Sequence, residues 1–175
     1  QLLMNKIKTL KANSIVEILL YVAIVSIFVI SIISVIFNLI DSNSKRQAIE
    51  KVNLEAQSII LFFQKEMRSA NSIVSPTINQ SGTTLKIISD NNSEREIIIV
   101  DGNIYIRVDG GEQVQINSSK VNLFDAQFVN ASNDNTTGSI LFRFNLKFNT
   151  QESLQSFNYS QNYETSFTIK RYVSD

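Results

Sequence analysis

One acid interrupts a stretch of chain that is otherwise almost wholly apolar. From Ser14 to Ile40 the sequence reads SIVEILLYVAIVSIFVISIISVIFNLI, and Glu17 is its only ionisable group apart from Tyr21. On insertion scales a carboxylate costs about 2.5–3.5 kcal/mol at the middle of a lipid-buried helix and less near the interface, so Glu17 needs a partner. No lysine or arginine lies inside the run, and the nearest one on the N-terminal side is Lys11. The spacing therefore points to a partner on another molecule. A snorkelling acid in an ordinary single-span anchor is the plainer alternative.

Other chemistry-bearing residues are sparse. The 175 residues include no cysteine and no histidine, which removes thiolate catalysis, cysteine-containing metal sites and the usual general base. Asp90-Asn91-Asn92-Ser93-Glu94 offers oxygen ligands at a spacing suggestive of calcium, but a solvated turn accounts for it equally well, and no metal or other cofactor is expected. Asp101, Asp109 and Glu112 read as turn residues. No two acids show the spacing of a catalytic pair, so an enzyme is not expected. The Asn-x-Ser/Thr triplets at Asn117, Asn130 and Asn135 are what an asparagine-rich composition produces by chance. Lysine plus arginine and aspartate plus glutamate both count 16, and no basic run provides a phosphate track, so specific nucleic-acid binding is not expected either.

The element that must position Glu17 is a transmembrane helix. A helix over Ser14 to Ile40 extends roughly 40 Å against a hydrocarbon core of about 30 Å, so it must tilt or protrude. The run exceeds the roughly 7–15 apolar residues of a signal-peptide core. Lys6, Lys8 and Lys11 precede it without an acid, while Asp41, Lys45 and Arg46 follow as a balanced flank, which places the N-terminus in the cytoplasm. Ser26, Ser31 and Ser34 have hydroxyls able to bond between helices, but bonding to their own helix backbone is the simpler expectation.

Helical periodicity continues past the membrane. Ser44 to Ala70 contains no proline or glycine, and Ile49, Val52, Ala56, Ile59 or Ile60, Phe63 and Met67 form one apolar face. Lys45, Glu50, Lys51, Glu55, Lys65 and Arg68 form the solvated face, with Lys51 and Glu55 spaced to pair. The two halves predict one helix of roughly 85 Å that Pro76, the only proline, brings to an end after Asn71 and Ser72.

From about Ile73 the pattern alternates with period two, which predicts a β-domain. Candidate strands are Thr84 to Ser89, Arg95 to Val100, Ile104 to Val108, Gln113 to Asn117, Asn122 to Asn130, Ser139 to Phe148 and Glu164 to Tyr172. Asp101-Gly102-Asn103 and Asp109-Gly110-Gly111 are tight-turn signals. Ile140, Phe142, Phe144, Leu146 and Phe148 share one face of their strand and should meet the amphipathic helix. The polar stretches Asn130 to Gly138 and Thr150 to Asn162 are expected to be mobile loops. The fold class is α+β: a long N-terminal transmembrane and amphipathic helix packed on a C-terminal antiparallel β-sheet domain.

The residues around the start of the span, Lys11-Ala12-Asn13-Ser14-Ile15-Val16-Glu17-Ile18-Leu19-Leu20-Tyr21, resemble the N-terminal signal of type IV prepilins and type II secretion pseudopilins. That resemblance implies a pilin-like fold and a leader 1–12 cut between Ala12 and Asn13 by a prepilin peptidase, which also methylates the new amine of Asn13. It implies that Glu17 pairs with the Asn13 amine of a neighbouring subunit during assembly. Span 13–40, amphipathic half 41–72 and β-rich domain 73–175 then follow in order. Alanine and asparagine stand at 12 and 13 where the family usually has glycine and phenylalanine, and the span lacks the proline and glycine of many major pilins. Both features favour a minor pilin or pseudopilin, similar to the larger minor pseudopilins of the J type. The implied partners are other pilin or pseudopilin subunits, the prepilin peptidase, the inner-membrane assembly platform and membrane lipid. The implied location is the bacterial inner membrane, then an extracytoplasmic filament. A single-span, membrane-anchored sensor or ligand-binding module is the alternative from another class.

Overall fold

A computed structural model describes residues 2–133, 137–149 and 159–170, with side chains for 15–133, 138–149 and 159–169. The chain divides into two compact units, Gln1–Ser44 and Lys45–Asp175. A single helix, α1 (Leu2–Arg68), begins in the first unit and ends in the second. No glycine or proline occurs along its length, so nothing in the backbone chemistry interrupts it.

In the first unit, α1 exposes its apolar side chains on every side, and it is long and apolar enough to cross a membrane. Ser26 and Ser31 donate to the carbonyls of Val22 and Ile27 at 2.7 and 2.8 Å. Both hydroxyls are thus satisfied inside the helix, as expected.

In the second unit, α1 buries Ala48, Val52, Ala56, Ile59, Phe63 and Met67, a stripe in steps of three and four. Ile59 rather than Ile60 is the fully buried choice, and the stripe starts at Ala48 rather than Ile49. The helix stops at Arg68, eight residues before Pro76, so proline is not what ends it. Instead Ser69 closes the last turn, its hydroxyl donating to Glu66 O at 2.9 Å, and Ala70 already belongs to a strand. Lys65 and Arg68 complement the negative end of the helix dipole.

Among the described residues nine strands follow: β1 (Ala70–Ser75), β2 (Ser81–Gly82), β3 (Thr84–Ser89), β4 (Glu94–Val100), β5 (Asn103–Val108), β6 (Val114–Gln115), β7 (Val121–Asn130), β8 (Thr137–Phe148) and β9 (Ser160–Lys170). Among the described residues they form two antiparallel sheets, ordered β1-β3-β4-β5-β6 and β2-β7-β8-β9. The layout is α+β. The candidate strand at Gln113 to Asn117 contracts to two paired residues. The candidate strand at Glu164 to Tyr172 starts at Ser160 instead, and Tyr172 lies outside the described residues.

Both sheets and the helix contribute to one apolar core. Its centre is aromatic: Phe63 of α1 lies 4.5, 5.4 and 6.3 Å, centroid to centroid, from Phe142, Phe128 and Phe167. Ile140, Phe142, Phe144 and Leu146 of β8 are buried in this core and Phe148 packs at its margin, the face that alternation selected. Within β7 a bulge at Asp125 and Ala126, with Asp125 at φ 49°, resets the alternation between inward Leu123 and inward Phe128. Asp101-Gly102 and Asp109-Gly110 both adopt positive φ at consecutive residues, the backbone of tight hairpin turns. Gly138 has no space for a side chain, since a Cβ there would stand 2.6 Å from Ile169 and 2.7 Å from Ile73.

Candidate functional site

Glu17 lies in α1 between side chains that are all exposed and apolar: Ile15, Val16, Ile18, Leu19 and Leu20, with Tyr21 one turn further on. These neighbours are 59 to 64% exposed, while Asn13 and Ser14, one turn toward the N-terminus of the same helix, are polar residues. Among the described residues no cation pairs with it. Ala12 and Asn13 belong to the same helix, and their side chains lie outside the described residues. Four positions, about one helical turn, separate Asn13 from Glu17. What this arrangement can do is accept a positive charge or hydrogen-bond donors from another molecule in a medium of low dielectric, where such a contact is strong.

The polar groups of the second unit are placed differently, and several depart from expectation. Glu55 does not pair with Lys51. It accepts from the backbone N–H of Ser118 at 2.6 Å, while the Lys51 ammonium stands 5.5 Å from the centre of the Phe148 ring. Glu66, 4% exposed, forms an ion pair with Arg95 of β4. Tyr163 of β9 donates to Asn53 Oδ1 at 2.7 Å. These four contacts tie α1 to the β-rich part of the second unit, and sequence reasoning missed all of them.

Asn117 and Asn130 are each 3% exposed, so the first two triplets carry internal structure. Asn117 Oδ1 accepts from Ile104 N at 2.8 Å, taking over a ladder bond where β6 has already ended. Asn130 Nδ2 donates to Pro76 O at 2.7 Å, and Ser132 Oγ accepts from Ser139 N at 2.9 Å. The start of the presumed mobile loop at Asn130 is therefore a buried knot. Asn135 and residues 150–158 lie outside the described residues, and residues 160–162 of the second presumed loop belong to β9.

The acidic segment after β3 is a hairpin turn. Asn91 Oδ1 accepts from the Ser89 hydroxyl and the Ser93 N–H, and Asp109 closes the turn from β5, accepting from Ser93 Oγ at 2.9 Å and Glu94 N at 2.7 Å. Asp109 is thus a clasp between two hairpins. Among the described residues no group of three or more acids is placed to hold a metal ion.

Two groups have displaced proton affinities. Burial, aided by the nearby Tyr159, pushes the Tyr163 phenol above its ordinary 10.0. The hydrogen bond and charge of Glu96 raise Lys86 above its ordinary 10.5, with Glu94 adding to both. Lys86 stands 3.1 Å from Glu96, which also meets Arg107 at 3.1 Å, a charge ladder across β3, β4 and β5. These features serve the stability of the second unit. Among the described residues, the charge without a partner in an apolar stretch that the sequence singled out is Glu17. No protein-family model, no curated protein and no solved structure matches the chain.

Proposed function

We propose that the chain is a structural subunit, a minor pilin or pseudopilin, of a type IV pilus, competence pilus or type II secretion pseudopilus. The observation that carries this reading is Glu17, an exposed acid on the apolar stretch of α1 with no cation beside it among the described residues. Its register with Ala12 and Asn13 supports a specific partner. Cleavage after Ala12 creates an α-amine on Asn13, and the amine of one subunit neutralises Glu17 of the next. That contact fixes the axial stagger between neighbouring helices, while the β-rich unit remains folded outside the lipid. The long apolar helix followed by two antiparallel sheets is compatible with such a subunit.

Coexpression with a prepilin peptidase tests the reading. Mass spectrometry should find a mature chain beginning at Asn13, methylated on its amine. An intact leader on correctly inserted protein would count decisively against a pilin-type subunit and return the single-span binding module to first place.

A further inference from the structure

Four residues divide α1 between two different kinds of support. Up to Ile40 the helix is apolar all round, and in hydrocarbon its backbone groups have no partners but one another. From Ala48 onward the buried stripe holds the helix on the sheets. Asp41-Ser42-Asn43-Ser44, the last four residues of the first unit, have neither support. They are exposed or half-buried, and all are poor helix formers, because short polar side chains compete for nearby backbone groups. Asp41 and Lys45 have the spacing of a helical ion pair, yet among the described residues none forms between them. Ser44 instead donates to Ile40 O at 3.0 Å, a back-bond of the kind that bends helices.

The same residues spell the end of one helix and the start of another. Ser44-Lys45-Arg46-Gln47, immediately before the buried stripe, has the pattern of a capping box, serine followed three residues later by glutamine. In that motif the serine hydroxyl accepts from the N–H of the glutamine, whose side chain accepts from the N–H of the serine. Asparagine is one of the few residues that close a helix in the left-handed conformation, and Asn43 stands just before Ser44. We infer that residues 41–44 are a hinge: this turn of α1 opens, with Asn43 ending the apolar half and Ser44 capping the half that packs on the sheets. Ser44 is the switch. In the closed form its hydroxyl donates to Ile40 O, and in the open form it accepts from Gln47 N. Opening disturbs no packing, because no buried residue lies between Ile40 and Ala48. The folded unit then turns independently of the tilt of the apolar half. The inference requires neither cleavage after Ala12 nor assembly into a filament.

The test uses the full chain, purified and reconstituted in nanodiscs of phosphatidylethanolamine and phosphatidylglycerol, with no peptidase present. Hydrogen exchange resolved to single amides should find Lys45 and Arg46, the first two positions after the cap, exchanging faster than residues 52–60. Ser44→Ala removes the cap and should slow exchange at both amides roughly tenfold. Ser42→Ala makes the same change of helix propensity without touching the cap, and should slow it only about twofold. Ser44→Asp caps as well as serine and should keep exchange fast. The protein lacks cysteine, so spin labels at Phe37→Cys and Leu54→Cys, both exposed positions, report the opening directly. A continuous helix holds these positions about 25 Å apart along its axis. The hinge adds a second, shorter population, which Asp41→Ala, Ser42→Ala, Asn43→Ala and Ser44→Ala combined should abolish. A single narrow distance in the otherwise unaltered chain, or equal responses to Ser42→Ala and Ser44→Ala, overturns the inference. Neither readout depends on cleavage after Ala12, which tests the filament reading.

Discussion

The two units of this chain handle polar groups in opposite ways. In Lys45–Asp175 most buried polar side chains are committed, Glu66 to Arg95, Asn117 to Ile104 N and Asn130 to Pro76 O, with Arg95 Nε the buried exception among the described residues. In Gln1–Ser44, by contrast, Glu17 and Asn38 stand among exposed aliphatics without a partner among the described residues. Polar groups paired within a folded unit need nothing further, whereas on the proposed reading the carboxylate of Glu17 takes its partner from another subunit. On the proposed reading, the contrast separates the part of the molecule that folds from the part that associates.

That separation can be broken by substitution. Phe63→Ala should cost the second unit about 3–5 kcal/mol, since it empties the centre of the aromatic core, and should leave membrane insertion unchanged. Denaturant titration of the full chain in micelles, followed by near-ultraviolet circular dichroism, measures the first; carbonate extraction of membranes measures the second. Glu17→Gln should do the reverse. Loss of a desolvated charge pair is worth about 2–5 kcal/mol, so incorporation into sheared filaments should collapse while the denaturation midpoint stays put. Unchanged incorporation would remove the proposed amine contact. Gly138→Ala should cost about 1–3 kcal/mol, because Ile73 and Ile169 must both retreat from the new methyl group, and the same titration reads it.

The smallest expected effects concern pH. Tyr163 binds its proton more tightly in the folded state, so its contribution to stability is complete below 10.0 and is lost as the pH rises through its raised folded value. Lys86 acts in the same direction from 10.5 upward, where its ladder with Glu96 loses its positive charge. Stability should therefore fall on the alkaline side through these two groups. Tyr163→Phe should cost about 0.5–1.5 kcal/mol near neutrality, through the lost bond to Asn53, and flatten the alkaline limb. Equal slopes for both proteins between pH 9.5 and 11, in roughly that window, would show that Tyr163 plays no part in it.

Local chemistry made much of this legible. The apolar run, the helical stripe from Val52 to Met67, the inward face of β8 and the turns at Asp101-Gly102 and Asp109-Gly110 all follow from short-range periodicity or from residues that accept positive φ. What stayed hidden depends on distant partners. Ser118 is 63 residues from Glu55, Arg95 is 29 from Glu66 and Tyr163 is 110 from Asn53. β1 escaped because Asn71 and Ser72 interrupt its alternation and two register shifts distort it, so it holds its place through pairing with β3 rather than through pattern. Glu17 was evident from its setting alone.

The junction at Ser69 has a mechanical consequence. Because α1 passes into β1 with one intervening residue, tension along the helix has no slack loop to absorb it. The load divides among three clamps at Asn53, Glu55 and Glu66, spread along about 20 Å of helix, and the β1–β3 ladder behind them. Clamps loaded side by side must yield together, whereas clamps loaded in sequence unzip one at a time. Pulled by its N-terminal half, the second unit should therefore resist as a single body up to one rupture force, and single-molecule extension would record one event rather than a staircase.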